Sequence, residues 1–206
     1  MLLKKYIQFC LQNKQQIIVH AVGDSAIITL IRSLRALHPD NFWKDKRVRI
    51  EHAELAVTSL TDIKVLQQMG IIIVQNPLHL GLPQVMAIRW NNRSPYLQAM
   101  RSLIDNNIPL AIGSDGPHNP FLNIMLATIH PDNPKEAITV EEAVTAYTYG
   151  SAYAEFKERQ KGTLTVGKLA DLVVLSQDIF NVALQQLPAT SVIMTLVDGK
   201  IVFEAP

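Results

Sequence analysis

The sequence predicts an α/β fold built on a parallel sheet, followed by a small β unit. Three observations carry this. Short apolar runs alternate four times with amphipathic stretches, the pattern of strand–helix repeats. Three of those runs lead into a metal-philic or acidic residue: His20 after Ile17-Ile18-Val19, His52 after Val48-Arg49-Ile50-Glu51, and Asp115 after the run Leu110-Ala111-Ile112. The final stretch changes character, with strand-like runs flanking Asp198-Gly199, a strong hairpin signal.

The elements follow in order. Residues 1–16 read as a helix, because Leu2, Leu3, Tyr6, Ile7, Cys10 and Leu11 recur at three- and four-residue spacing. A strand at Ile17–His20 comes next. Asp24 is placed to N-cap a helix to about Leu37, with Ile27, Ile28, Leu30, Ile31 and Leu34 as its apolar stripe. His38-Pro39-Asp40-Asn41 reads as a turn and Val48–His52 as a strand. A helix is expected over roughly Thr58–Met69, stopped by Gly70. Ile71–Val74 is a continuous β-branched run, as in a parallel strand covered on both faces.

Residues 76 to about 94 are rich in Pro, Gly and Asn and are expected to form a long loop. A helix near Tyr96–Asn106 leads into a strand within Pro109–Asp115. Thr139 followed three residues later by Glu142 predicts a capping box, with the helix ending at Gly150. A short helix near Ser151–Lys157 follows. Strands are expected at Asp171–Leu175, Val192–Val197 and Ile201–Phe203.

Composition narrows the function classes. The 206 residues are 48% hydrophobic with a formal net charge of +1, which suits one or two globular domains. So balanced a charge gives no long-range field for nucleic acid or an anionic membrane. The single cysteine, Cys10, cannot form an internal disulfide and reads as a small apolar residue of a helix. Lys4 and Lys5 interrupt the apolar start, no small-residue cleavage site follows, and no run has the length of a membrane span. A cytoplasmic setting is therefore expected.

Two histidines and an aspartate at strand ends suit a divalent metal that polarises a carbonyl and lowers the pKa of a bound water to about 7. The carboxylate can bind the metal, accept the water's proton, or do each in turn. Taken singly, a strand-end histidine is more often a hydrogen-bonded structural residue, and an Asp before Gly-Pro a turn former. Three together, on separate strands, are harder to dismiss, and spacing alone leaves the metal and the structural readings level. His79 by itself reads as a solvated loop histidine. His118, three residues past Asp115, could approach the site but reads rather as an exposed turn residue; His38 and His130, each before a proline, read as turn residues. Alternation places Glu51 opposite His52 and on the side of Arg49, which predicts an Arg49–Glu51 pair reaching helices or neighbouring strands. Asp24 is expected as a helix cap, or else as support for a ligand histidine.

The words around these residues resemble the amidohydrolase superfamily. Val19-His20-Ala21-Val22-Gly23-Asp24, Arg49-Ile50-Glu51-His52-Ala53 and Leu110-Ala111-Ile112-Gly113-Ser114-Asp115-Gly116-Pro117 look most like amidohydrolase family 3, the branch with N-substituted formamide deformylase-like enzymes. Tyr147-Thr148 with Ser151-Ala152, then Gly162-Thr163-Leu164 through Leu175, resemble its C-terminal pattern. Val197-Asp198-Gly199-Lys200-Ile201-Val202 resembles its last hairpin. His79, in Gln75-Asn76-Pro77-Leu78-His79, resembles a Gln-Pro-x-His stretch that faces the substrate in the family, with Asn76 inserted.

The resemblance implies a metal-dependent (β/α)8 TIM barrel with a β-sandwich. It aligns residues 1–160 with part of the barrel, strands five to eight, and residues 161–206 with the last part of the sandwich. By it, His20 follows strand five, His52 strand six and Asp115 strand eight. The two histidines are then metal ligands, Asp115 is a ligand or neighbour and the general base, and His79 lies on the substrate side. The cofactor is a divalent metal, Zn2+ first, in one site or two. The substrate is a small molecule with an amide- or formamide-type C–N bond; a deaminase of the same superfamily is the other option. The family's His-x-His and its further metal-bridging residue have no counterpart in this sequence. A full barrel takes about 250 residues. The chain therefore reads as the C-terminal portion of such an enzyme, from a truncated, split or misassigned gene, with a non-catalytic half-barrel as the competing reading. Open strand edges predict self-association or a separate N-terminal half as partner. If one barrel rim holds the site, His20, His52 and Asp115 should approach to within roughly 4–7 Å, with His20 and His52 nearer each other than either is to His38 or His130.

Overall fold

A computed structural model describes residues 2–58 and 63–206. Among them the chain forms two sheets. The first holds four parallel strands in sequence order: β1 (Ile18–Ala21), β2 (Arg49–His52), β3 (Ile72–Gln75) and β4 (Leu110–Ile112). Helices α1 (Leu2–Gln12), α2 (Asp24–Arg35), α3 (Ile63–Met69), α4 (Pro83–Trp90) and α5 (Met100–Asp105) precede or link these strands. After β4 come α6 (Pro120–Ile129), α7 (Val140–Thr145) and α8 (Ser151–Ala154). The second sheet is antiparallel, in the order β5 (Leu172–Leu175), β6 (Val192–Val197) and β7 (Lys200–Glu204).

Hydrophobic burial covers one face of the first sheet throughout and the other only in part. Ile50, Ile73, Leu110 and Ile112 pack into one core with Ile27, Leu30 and Leu34 of α2, Leu66 and Met69 of α3, and Met100 and Leu103 of α5. The opposite face is read from the register, because residues paired across parallel strands point the same way. Ile18 pairs with Arg49, His20 with Glu51, Arg49 with Ile72, and Glu51 with Val74. On the β3–β4 side this face is covered: Ile72, Val74 and Ala111 pack with Ala154 and Tyr153. On the β1–β2 side it is open, and Ile18 is 52% exposed. The Arg49–Glu51 pair forms at 2.7 Å on this open face, not against the helices.

Residue 76 onward departs from the expected loop. Pro77–Gly81 is a 3-10 helix, Pro83–Trp90 is α4, and Asn91–Tyr96 is a further 3-10 helix. Proline at a first helical position fixes the right φ and lacks an N–H that would be orphaned there anyway, so these prolines start helices. Gly150 is not a stop either. The chain runs from α7 through a π turn at Ala146–Gly150 directly into α8, with Gly150 at φ −58°. A Cβ there would lie 2.3 Å from the Leu110 carbonyl oxygen, so glycine lets this segment press against β4.

Several boundaries move. The first helix stops at Gln12, before Lys14 at φ 54°. Gly23 is the N-cap of α2 and Asp24 its first residue; the Asp24 carboxylate accepts from its neighbour Ser25 N at 2.8 Å and pairs with Arg93, and neither contact supports a histidine. Residues 59–62 of the helix expected from Thr58 lie outside the described residues, and its observed part is Ile63–Met69. The helix expected at 96–106 begins only at Met100, because Gln98 takes a left-handed φ of 47°. The Thr139–Glu142 capping box is present as read.

The C-terminal sheet is tied to the α/β part by the segment between β5 and β6. Leu187, in the 3-10 helix Leu184–Ala189, is fully buried in the main core, as Ile179 nearly is. Asn119 Nδ2 also donates to the Pro188 carbonyl at 3.2 Å.

Candidate metal centre

Parallel strands in sequence order bring their C-terminal ends to one rim, and the site is built there. His20 stands on the open face of β1. His52 closes β2 with a left-handed φ of 71°, and Ala53 follows at 46°. These two residues break the alternation. Instead of sharing the covered side of Ile50, the His52 ring lies edge-on to His20, with ring centroids 4.3 Å apart at 68°.

Asp115 lies three residues beyond β4, at φ 50°. Its Oδ2 is 3.6 Å from His52 Nδ1 and 3.7 Å from His79 Nε2. The His52 and His79 rings are nearly parallel, with centroids 6.0 Å apart. The rim thus gathers His20, His52, Asp115 and His79. His38 stacks on Phe42 instead, with centroids 3.8 Å apart. His130 is buried, its Nε2 3.2 Å from the carbonyls of Leu97 and Gln98, and His118 is exposed.

Three further residues hold this cluster, and none was singled out from the sequence. Glu54, 2% exposed, meets His79 Nδ1 through Oε1 at 2.7 Å. Asn76 Nδ2 lies 2.9 Å from His52 Nδ1. Gln98 ties both loops together: its backbone N–H donates to the Glu54 carbonyl at 2.8 Å and its side-chain amide to the Asn76 carbonyl at 2.7 Å. Gly113 makes room for Asn76, since a Cβ there would sit 2.8 Å from Asn76 Oδ1. The available signal was Glu54 in His-Ala-Glu, two residues past a ligand candidate, but nothing local says that such a glutamate is buried.

The electrostatics split the two central histidines. Burial, then the neighbouring His20, push the His52 pKa below the ordinary imidazole value. The hydrogen bond to Glu54 pushes that of His79 above it. His52 therefore favours the neutral ring that a metal needs, whereas His79 is held against a carboxylate.

Chemically, the rim fits a divalent cation. Imidazole and carboxylate donors are the set that binds zinc and similar ions. Glu54 Oε2 is buried and meets no hydrogen-bond partner among the described residues, an expensive state for a carboxylate oxygen unless a cation or donor joins it. His52, Glu54 and His79 each offer a ligand atom within 4.8 Å of the others.

The rim lies at the C-terminal ends of sequential parallel strands, the edge at which barrels of such strands carry their sites. The model of amidohydrolase family 3 matches residues 2–203, and the chain belongs to that family. It is 28% identical over 198 residues to an N-substituted formamide deformylase of Arthrobacter pascens, a match covering 90% of this chain and 36% of that protein. It is 33% identical over 204 residues to the protein LONG AFTER FAR-RED 3 of Arabidopsis thaliana, covering 90% of this chain and 33% of that one. In fold it is similar to an uncharacterized metal-dependent hydrolase from Pyrococcus furiosus, with a TM-score of 0.75 at 23% identity, over 87% of this chain and 37% of that structure. The chain thus spans about a third of the length of each of these proteins. No helix among the described residues is long and apolar enough to cross a membrane.

Proposed function

We propose that this chain supplies the strand-five-to-eight part of a metal-dependent (β/α)8 amidohydrolase, with residues 161–206 as part of its β-sandwich. The reaction is hydrolysis of a non-peptide amide- or formamide-type C–N bond in a small molecule. The observation that carries this reading is the meeting of His20, His52 and Asp115 at one strand rim, with ring centroids 4.3 Å and an N–O separation of 3.6 Å.

His20 and His52 would hold the metal through ring nitrogens and Asp115 through a carboxylate oxygen. A bound divalent metal, zinc first, supplies carbonyl polarisation and a lowered pKa for the attacking water. Asp115 moves the proton: its carboxylate accepts it from the water and returns it to the departing nitrogen. The Asp115 side chain is 59% exposed, so a substrate reaches it from solvent. Asn76 holds the His52 ring, and Glu54 holds His79 with Nε2 turned to the substrate side.

The test is hydrolysis of a panel of N-alkyl formamides and N-acyl amines by the Zn2+-supplemented chain, following formate and amine release. Asp115→Asn is expected to lower turnover by about 10²–10⁴-fold. Turnover unchanged in that variant would overturn the assignment of Asp115. A second reading is a non-catalytic half-barrel, favoured by the lack of any His-x-His in these 206 residues. Absence of hydrolysis by the unaltered chain would support it.

The partner proposed for this part is a second copy or a strand-one-to-four half. Among the described residues, β1 and β4 each have one neighbouring strand, and open edges of this kind recruit another chain. Light scattering is expected to show self-association of the chain alone. A stable monomer that binds no apolar dye would count against it.

A further inference from the structure

Glu54 and His79 lie outside the His20, His52 and Asp115 set, yet they form the most buried acid–imidazole contact of the rim. Glu54 follows the left-handed turn at His52–Ala53, and His79 sits in the 3-10 helix after β3. Their loops are braced against each other by Gln98. Two independent observations ask for a cation. The first is geometry: ligand atoms of His52, Glu54 and His79 lie within 4.8 Å of one another. Donors about 2.0–2.2 Å from a tetrahedral zinc stand about 3.4 Å apart, so small side-chain shifts close the set. The second is Glu54 Oε2, buried and without a partner among the described residues, while only Oε1 is engaged by His79.

We propose that His52, Glu54 and His79 hold a divalent cation of the zinc type in this chain, with Asp115 closing the fourth position. The placement of Asp115 agrees with that role, its Oδ2 being 3.6 Å from His52 Nδ1 and 3.7 Å from His79 Nε2. This inference rests on the reading of the rim as a metal centre and changes its ligands. His52 is the hub, with His20 on one side and the Glu54–His79 pair on the other. The donors all come from this chain, at the end of β2, in the turn after it, in the 3-10 helix after β3 and in the turn after β4, so the site needs no His-x-His.

Equilibrium dialysis with Zn2+ and the visible absorption of bound Co2+ separate the ligand sets without reference to activity. Glu54→Gln and His79→Gln are expected to weaken Zn2+ binding by about 10- to 100-fold or more, and to change the Co2+ spectrum. His118→Gln, an exposed histidine outside the rim, is expected to bind within about threefold of the unaltered chain, a margin well inside that loss. Thermal unfolding and circular dichroism establish that each variant is folded. Should Glu54→Gln not fold, His79→Gln, whose side chain is 19% exposed, carries the test. Loss of binding in His20→Gln with binding kept in Glu54→Gln and His79→Gln would overturn this inference and leave the His20–His52–Asp115 centre standing. No binding by the unaltered chain would overturn both centres in this chain and leave Glu54–His79 as a buried ion pair.

Discussion

The two sheets of this molecule bury their strands very differently. In the first, Ile50, Ile71, Ile72 and Ile73 are fully buried, and helices cover one whole face. In the second, all five residues of β7 are exposed, including Ile201, Val202 and Phe203. Both sheets are rich in β-branched residues, so strand propensity does not separate them. What differs is the layer packed on top. The first sheet has its own core; the second is held by backbone pairing and by the anchor at Leu187. Stability is therefore expected to reside in β1–β4 and its helices, and the candidate rim sits on that well-buried part.

Core truncation is the largest way to probe this difference. Leu30→Ala, at a fully buried position of α2, is expected to cost about 2–5 kcal/mol. Val202→Ala, 60% exposed in β7, is expected to stay within about 0.5 kcal/mol. Urea denaturation of both variants makes the comparison. Equal losses would mean that the second sheet is covered in solution.

Gly150→Ala comes next in size. It pushes a methyl group into the Leu110 carbonyl and should cost about 1–3 kcal/mol by forcing α8 off β4. A variant as stable as the parent would show that the α7–α8 segment does not press on the sheet.

A smaller effect is expected at the Arg47–Glu158 pair, which ties the start of β2 to the chain after α8. Arg47 donates to Glu158 at 2.7 and 2.9 Å and lies over the Tyr153 ring, 3.8 Å from its centroid. That hydrogen bonding lowers the Glu158 pKa from 4.5 to about 2. A carboxylate lowered in the folded state stabilises above its unfolded pKa, and the gain is lost as pH falls through its folded one. The contribution should thus be full above about pH 5 and fade between there and pH 2. Glu158→Gln is expected to cost about 1–3 kcal/mol at neutral pH and to flatten stability across that window. An unchanged acid profile would remove this tie from the account.

How far the sequence disclosed all this depends on the range of the interaction. The Thr139–Glu142 capping box and the Asp198-Gly199 hairpin were readable because both are settled within a few residues. The four parallel strands were readable from their apolar runs, with ends shifted by a residue or so. The 76–94 segment was not, because prolines that start helices look like prolines that break them. His20, His52 and Asp115 could be picked out as strand-end residues. That the His52 ring turns to His20 could not, since it depends on a left-handed backbone at His52 and Ala53, neither of them glycine. Glu54 stayed hidden for a related reason: its burial is made by Gln98 and His79, 44 and 25 positions away.

His52 belongs to both ligand sets at the rim, so it bears the central claim most directly. The measurement is calorimetric titration of Zn2+ into the unaltered chain and into folded His52→Gln. The account expects saturable binding to the former, weakened by about 100-fold or more in the latter. Binding of equal strength to both would contradict it.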